Sequence, residues 1–415
     1  MNIRTATING IPKELRIRDA ARNGQPAASP ETAELSARVD KVVAVAAAHA
    51  AAVDSESRFP KEAIAAARAE RLLGVAVPRE FGGDGLSVAD VTDICYALGR
   101  ACASTALIYA MHQTKVACIV RHGRGSPWHQ LLLRRLCAEQ LLLASSTTEG
   151  QAGGDLRNSA AAVDGETRIT LERQATVISY GEAADGIVTT ARRSADAASS
   201  DQVLVALLKE NYTLERLNGW DALGMRGTCS AGFKLVASGL REQILPVSYE
   251  KIHSHTMMPF EHLVWSSAWA GIAAAAVERA RAFVRKAMHR SGGTLPPGAA
   301  HLTRAGASLR TLRGLIATST RRFEAVASDP AMLESMDFQT GMNMLKVNAS
   351  ELAVATVMSS MQACGLSGYR NDSEFSIGRH LRDILSSPIM ISNDRILANV
   401  AAASVLGATP ESLHD

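Results

Sequence analysis

Fifteen consecutive residues, Leu263 to Val277, carry no charge, between His262 and Glu278. The run is too short to cross a bilayer, which takes about 20 apolar residues as a helix. It reads as a helix buried on every side, and only a large helical core provides such a place. Composition agrees. The chain has 415 residues, 47% hydrophobic but only 4% aromatic, which suits close-packed, Ala-rich helices better than an all-β barrel. Its 20% charged fraction argues against disorder. A formal charge of +3, from 44 basic and 41 acidic residues, excludes a polyelectrolyte-driven nucleic-acid or membrane binder.

The periodicity divides the chain into four parts. Residues 1–28 are polar and mixed, an arm without a secretory apolar stretch. Arg4, Arg16, Arg18 and Arg22 hint at a transit peptide, but Glu14 and Asp19 weigh against it. Residues 29–140 form a helical domain, with helices expected over 31–54, 60–73, 87–122 and 127–140. Residues 141–250 turn β-like, with Val, Ile, Leu and Thr segments separated by Gly, Asp and Ser turns. Residues 251–415 return to helix over 258–289, 300–327, 338–364 and 388–406, a four-helix bundle. The six cysteines include no CxxC pair and sit mostly among apolar residues, which fits free thiols and a reducing, cytoplasmic location.

Three glycine-rich stretches stand where chemistry is possible. Thr147-Thr148-Glu149-Gly150-Gln151-Ala152-Gly153-Gly154-Asp155 leaves a strand. Its backbone N–H groups can approach a ligand closely, or it is simply a long turn. It is not a Walker loop, since no Lys-Ser/Thr follows. The others are Gly219–Ser230 and Gln362-Ala363-Cys364-Gly365-Leu366-Ser367-Gly368-Tyr369. His253, His255 and His262 lack metal-ligand spacing and read as ordinary histidines.

Taken in order, these stretches resemble the acyl-CoA dehydrogenase family from about residue 31 to 406. Val77-Pro78-Arg79-Glu80-Phe81-Gly82-Gly83-Asp84-Gly85 is similar to V/I-P-E-x-x-G-G-x-G, and Thr148–Asp155 to T-E-P-x-A-G-S-D. Leu223-Gly224-Met225-Arg226-Gly227-Thr228 matches L-G-M-R-G-T; Gln362, Gly365 and Gly368, then Arg379–Asp383, resemble Q-x-x-G-G-x-G and R-x-x-R-D. The fold this implies is α+β: a helical N-terminal domain, a β-barrel-like middle and a C-terminal four-helix bundle. The resemblance also implies FAD between the last two, completed by a neighbouring subunit of a homodimer or homotetramer. Thr147, Thr148, Gly153 and Gly154 fall where the family holds the flavin ring and the substrate carbonyl. Val177, Ile178 and Ser179 fall on its W-I-T/S segment, with Val177 in place of the ring-covering Trp. Gln362 and Gly365 match adenine-end positions, and Asn393 is carried as a further flavin contact. The family's R-x-x-F-G pyrophosphate motif has no match.

The implied activity is oxidation of the α,β bond of an acyl thioester of coenzyme A or a carrier protein. Electron-transfer flavoprotein or oxygen would be the acceptor. That chemistry needs a carboxylate to remove the α-proton. Counting eight residues from Asp383 to the usual Glu lands on Ile391. A minority pattern, E-R-L-V-L-A-A-G-x-x-G, aligns with Glu261–Gly271 and makes Glu261 the candidate base. The same residue also reads as a first-turn charge favoured by the helix dipole after Pro259, or as a substrate contact. Two other functions stay open: a flavin monooxygenase of the same fold, and a non-catalytic acyl- or flavin-binding homologue.

Overall fold

The computed structural model describes residues 30–149 and 158–406. Five helices come first: α1 (Pro30–Ser55), α2 (Lys61–Ala69), α3 (Val88–Ala101), α4 (Ala103–His122) and α5 (Pro127–Glu139). Their ends follow capping chemistry. Ser87 accepts from the Asp90 amide while the Asp90 carboxylate accepts from the Ser87 amide, closing a capping box on α3. Ser126 caps α5, with Pro127 at the first helical position. The helix expected over 87–122 is two helices, because Cys102 adopts an extended backbone (φ −149°). Beyond that break α4 is buried all round from Ala103 to Ile119.

The middle segment holds β1 (Leu143–Ser146), β2 (Arg168–Ala175), β3 (Gly186–Arg192), β4 (Gln202–Leu208), β5 (Tyr212–Arg216) and β6 (Phe233–Leu240). They form two three-stranded sheets, ordered β1-β3-β4 and β2-β6-β5. The β1–β3 pair is parallel and the other pairs are antiparallel. β2 alternates exposed and buried residues, so one face is wet; β4 is buried throughout. A bridge between Glu149 and Ala175 ties the chain leaving β1 to the second sheet. His112 of α4 stitches the domains together: its Nδ1 accepts from the Leu143 amide and its Nε2 donates to the Leu73 carbonyl. Burial lowers its pKa to about 4 and keeps it neutral.

Helix returns with α6 (Tyr249–Ile252), which runs through a π turn (His253–Met257) into α7 (Met258–Arg290). Then follow α8 (Ala299–Val326), α9 (Pro330–Glu334), α10 (Met336–Cys364), α11 (Leu366–Tyr369), α12 (Gly378–Ile384) and α13 (Asn393–Leu406). α7 holds the uncharged run and is buried at every residue from Met258 to Ala274. It packs on α3, α4, α8 and α10. Where α7 crosses α3, Gly99 meets Gly271: a Cβ added at Gly271 would fall 2.3 Å from the Tyr96 carbonyl oxygen. No helix among the described residues is long and apolar enough to cross a membrane.

Candidate functional site

A cavity of about 700 Å³ opens where α4, α7, the β segment and the 385–392 turn meet. That volume falls in the usual range for small-molecule sites. Thr147 and Thr148 line it from the end of β1, Val177 and Ser179 from the end of β2, and Glu261 from the first turn of α7. Five positions singled out in the sequence thus converge on one space. Leu107, Met111, Trp265, Met390 and Ile391 supply apolar wall. Ile391, on which the count from Asp383 to the usual base falls, thus lines this space with hydrocarbon. It has positive φ (54°), as does Ser392 (24°), so the 385–392 turn replaces the start of the helix expected at 388.

Glu261 is 7% exposed and its carboxylate takes no hydrogen bond from the described residues. Burial raises its pKa, and the opposing charge is that of Lys115. Lys115 is fully buried on α4, with Nζ 3.6 Å from the Met257 sulfur. Sequence reading missed it, because one lysine inside an apolar helix carries no local signature. A buried carboxylate at a cavity wall, its proton affinity raised by desolvation and opposed by one cation, takes up a proton more readily than an exposed one.

Other expected contacts lie elsewhere. Ile178 is fully buried in the core and does not line the cavity; its amide donates to the Ala231 carbonyl (2.8 Å). Asn393 is also off the cavity. Its Oδ1 accepts from Lys346 Nζ at 2.7 Å and its Nδ2 donates to Ser350 Oγ at 3.0 Å, so its amide is consumed by a buried lysine. Burial lowers the Lys346 pKa to about 8. Gln362 and Gly365 are exposed at the end of α10, also away from the cavity. Gly153 and Gly154 lie outside the described residues, as does the 1–28 arm. Among the described residues no His, Cys, Asp or Glu group is arranged to hold a metal.

Two motifs serve as fasteners. Asp383 Oδ1 accepts from the Met225 amide at 2.7 Å, and Arg382 pairs with Asp54 while its Nη1 donates to the Leu223 carbonyl. The L-G-M-R-G-T turn and the R-x-x-R-D helix are therefore clasped together, closely enough that a Cβ on Gly224 would sit 2.0 Å from the Arg382 carbonyl oxygen. Desolvation raises the Asp383 pKa to about 6. Glu149 is the second fastener. It pairs with fully buried Arg173 at 3.4 Å and accepts from the Ala161 amide (3.2 Å) and Ser159 hydroxyl (3.3 Å), fixing the chain just beyond Thr148. Arg173→Met strands that carboxylate. Its remaining donors soften the loss, so we expect about 3 kcal/mol lower stability, measured by urea unfolding.

The residues fit a flat, amphipathic ring. Hydroxyls of Thr147, Thr148 and Ser179 offer one polar edge beside apolar wall, and the buried Trp265 indole N–H has no acceptor among the described residues. Comparison with known proteins follows the same line. Family models described as acyl-CoA dehydrogenase, N-terminal domain, and acyl-CoA dehydrogenase, C-terminal domain, match residues 29–134 and 254–406. Cyclohex-1-ene-1-carbonyl-CoA dehydrogenase of Syntrophus aciditrophicus is 24% identical over 365 residues, 85% of this chain and 84% of that protein. A nitrososynthase structure from Micromonospora carbonacea var. africana superposes with TM-score 0.78 at 20% identity, covering 91% of this chain and 97% of that one. FMN-bound TdsC from Paenibacillus sp. A11-2 gives TM-score 0.76 at 18% identity, with 90% and 98% covered.

Proposed function

We propose, since the chain belongs to the acyl-CoA dehydrogenase family, that it is a flavin-dependent dehydrogenase of an acyl thioester with Glu261 as its base. The observation that carries this reading is that Glu261 faces the same cavity as Thr147, Thr148 and Ser179. The dehydrogenase from Syntrophus aciditrophicus supports a coenzyme A thioester, and FMN-bound TdsC supports a flavin. FAD is the cofactor the family resemblance implies, with Gln362 and Gly365 serving its adenine end in a neighbouring subunit.

When bound, the flavin supplies the two-electron acceptor that receives the β-hydride. This chain's residues do the rest. The Glu261 carboxylate takes the α-proton, leaving Cα and Cβ doubly bonded. Thr147 and Thr148 hydroxyls donate toward the thioester carbonyl, where negative charge builds as that proton leaves. Leu107, Met111, Trp265 and Met390 exclude water and hold the acyl chain. The charge of Lys115 opposes the effect of burial and favours the ionised form of that carboxylate.

A second reading rests on Val177, 37% exposed on the cavity wall where the resemblance would place a covering Trp. An uncovered ring face admits oxygen, and the nitrososynthase likeness fits heteroatom oxygenation. One experiment separates the two. FAD-loaded protein is mixed anaerobically with butyryl-, isovaleryl- and cyclohex-1-ene-1-carbonyl-CoA, and the visible flavin absorbance is followed. Bleaching by a thioester is the expected result. No bleaching by any of them, together with amine-dependent oxygen uptake by the reduced protein, overturns it in favour of the second reading.

A further inference from the structure

Ser179 does not stand alone on the cavity wall. Its Oγ lies 2.8 Å from Ser230 Oγ, which lies 2.8 Å from Thr228 Oγ1, which lies 2.8 Å from the Met225 carbonyl oxygen. Ser230 and Thr228 are buried and Ser179 is half-buried, and all three border the cavity. A carbonyl can only accept, and that fixes the direction of every proton behind it. Thr228 donates to Met225, so Thr228 accepts from Ser230. Ser230, having given its proton, accepts from Ser179. Ser179 has no other partner among the described residues, so only its lone pairs remain for the cavity.

The Met225 carbonyl is held in place. It also accepts from the Trp220 indole N–H (3.1 Å) and the Thr228 amide (3.1 Å), and the Met225 amide is bound by Asp383. With the anchor fixed, reversing the chain would leave the Thr228 hydroxyl facing away from a buried acceptor, which costs a hydrogen bond.

We propose that Thr228 and Ser230 are positioning residues which hold Ser179 as a hydrogen-bond acceptor toward the cavity, so that a flavin whose N5 lies against Ser179, as the family resemblance implies, is favoured in its reduced form, with an N–H at N5, over the oxidised form, which has only a lone pair there. The inference rests on the flavin reading above. Loss of the relay should free the Ser179 proton to meet the oxidised ring and remove the preference.

The test measures dissociation constants for oxidised and dithionite-reduced flavin, FMN and FAD in parallel, under anaerobic conditions, by fluorescence or absorbance. Wild-type protein is expected to bind the reduced form more tightly. Ser230→Ala should shrink that ratio about tenfold, the worth of one hydrogen bond in one redox state, and so lower the bound midpoint potential by about 30 mV. Ser230→Thr, which keeps the hydroxyl, should retain the wild-type ratio. Ser179→Ala removes the acceptor itself and should also lose the preference, which keeps the proposal open to refutation if Ser230→Ala unfolds. An unchanged ratio in folded Ser230→Ala or Ser179→Ala overturns the relay alone. A wild-type protein that binds flavin in neither state overturns the flavin reading and the relay with it.

Discussion

Glu261→Gln is expected to lower the rate of flavin bleaching by an acyl-CoA by 10²–10⁴-fold, the usual worth of a positioned general base, with flavin binding intact. The amide keeps the shape and cannot take the proton. Burial raises the Glu261 pKa, so the wild-type bleaching rate should climb with pH through a limb above the ordinary carboxylate value of 4.5. That limb should vanish in the variant. Stability moves the other way. A carboxyl whose folded pKa is raised stabilises the protein fully below its unfolded value and loses that contribution as pH rises through the folded one. Above pH 4.5 the Gln variant should therefore be at least as stable as wild type. An inactive protein that melts no earlier separates lost chemistry from lost fold. Wild-type bleaching rates in Glu261→Gln would remove the carboxylate from the mechanism.

Gly271→Ala should damage the helical core through a single added methyl group. The added Cβ meets the Tyr96 carbonyl oxygen at 2.3 Å and the Gly99 Cα at 2.8 Å. Both obstacles are backbone, so no rotamer change relieves them and the helices must part. Overpacking of this kind costs about 3 kcal/mol, read as a lower urea midpoint at unchanged slope. The effect should also reach the cavity, because Trp265 and Glu261 lie on α7 about two and three turns from the crossing. Gly99→Ala acts on the same contact, so the double variant should cost less than the two singles added. Strict additivity would mean that the crossing is not shared.

Local pattern carried the architecture and most of the cavity. The α, β, α order follows from periodicity, and Thr147, Thr148, Val177, Ser179 and Glu261 lie in or beside motifs that survive as short words. What escaped depends on partners remote in sequence. Asn393 looks like a ligand contact until Lys346, 47 residues earlier, takes its side chain. Ile178 sits between two wall residues but points into the core, because alternate residues of an extended segment face opposite ways. The break at Cys102 has no Gly or Pro to announce it, and the helical pattern runs through it unchanged. Lys115 was invisible for the same reason: only α7, folded against α4, gives that charge something to act on.

The clasp between Asp383 and Met225 joins positions 158 residues apart. A ribosome delivers the earlier one long before the later. The turn carrying Met225, with the hydroxyls of Thr228 and Ser230 beside the cavity, therefore gains this fastening only when α12 docks on it.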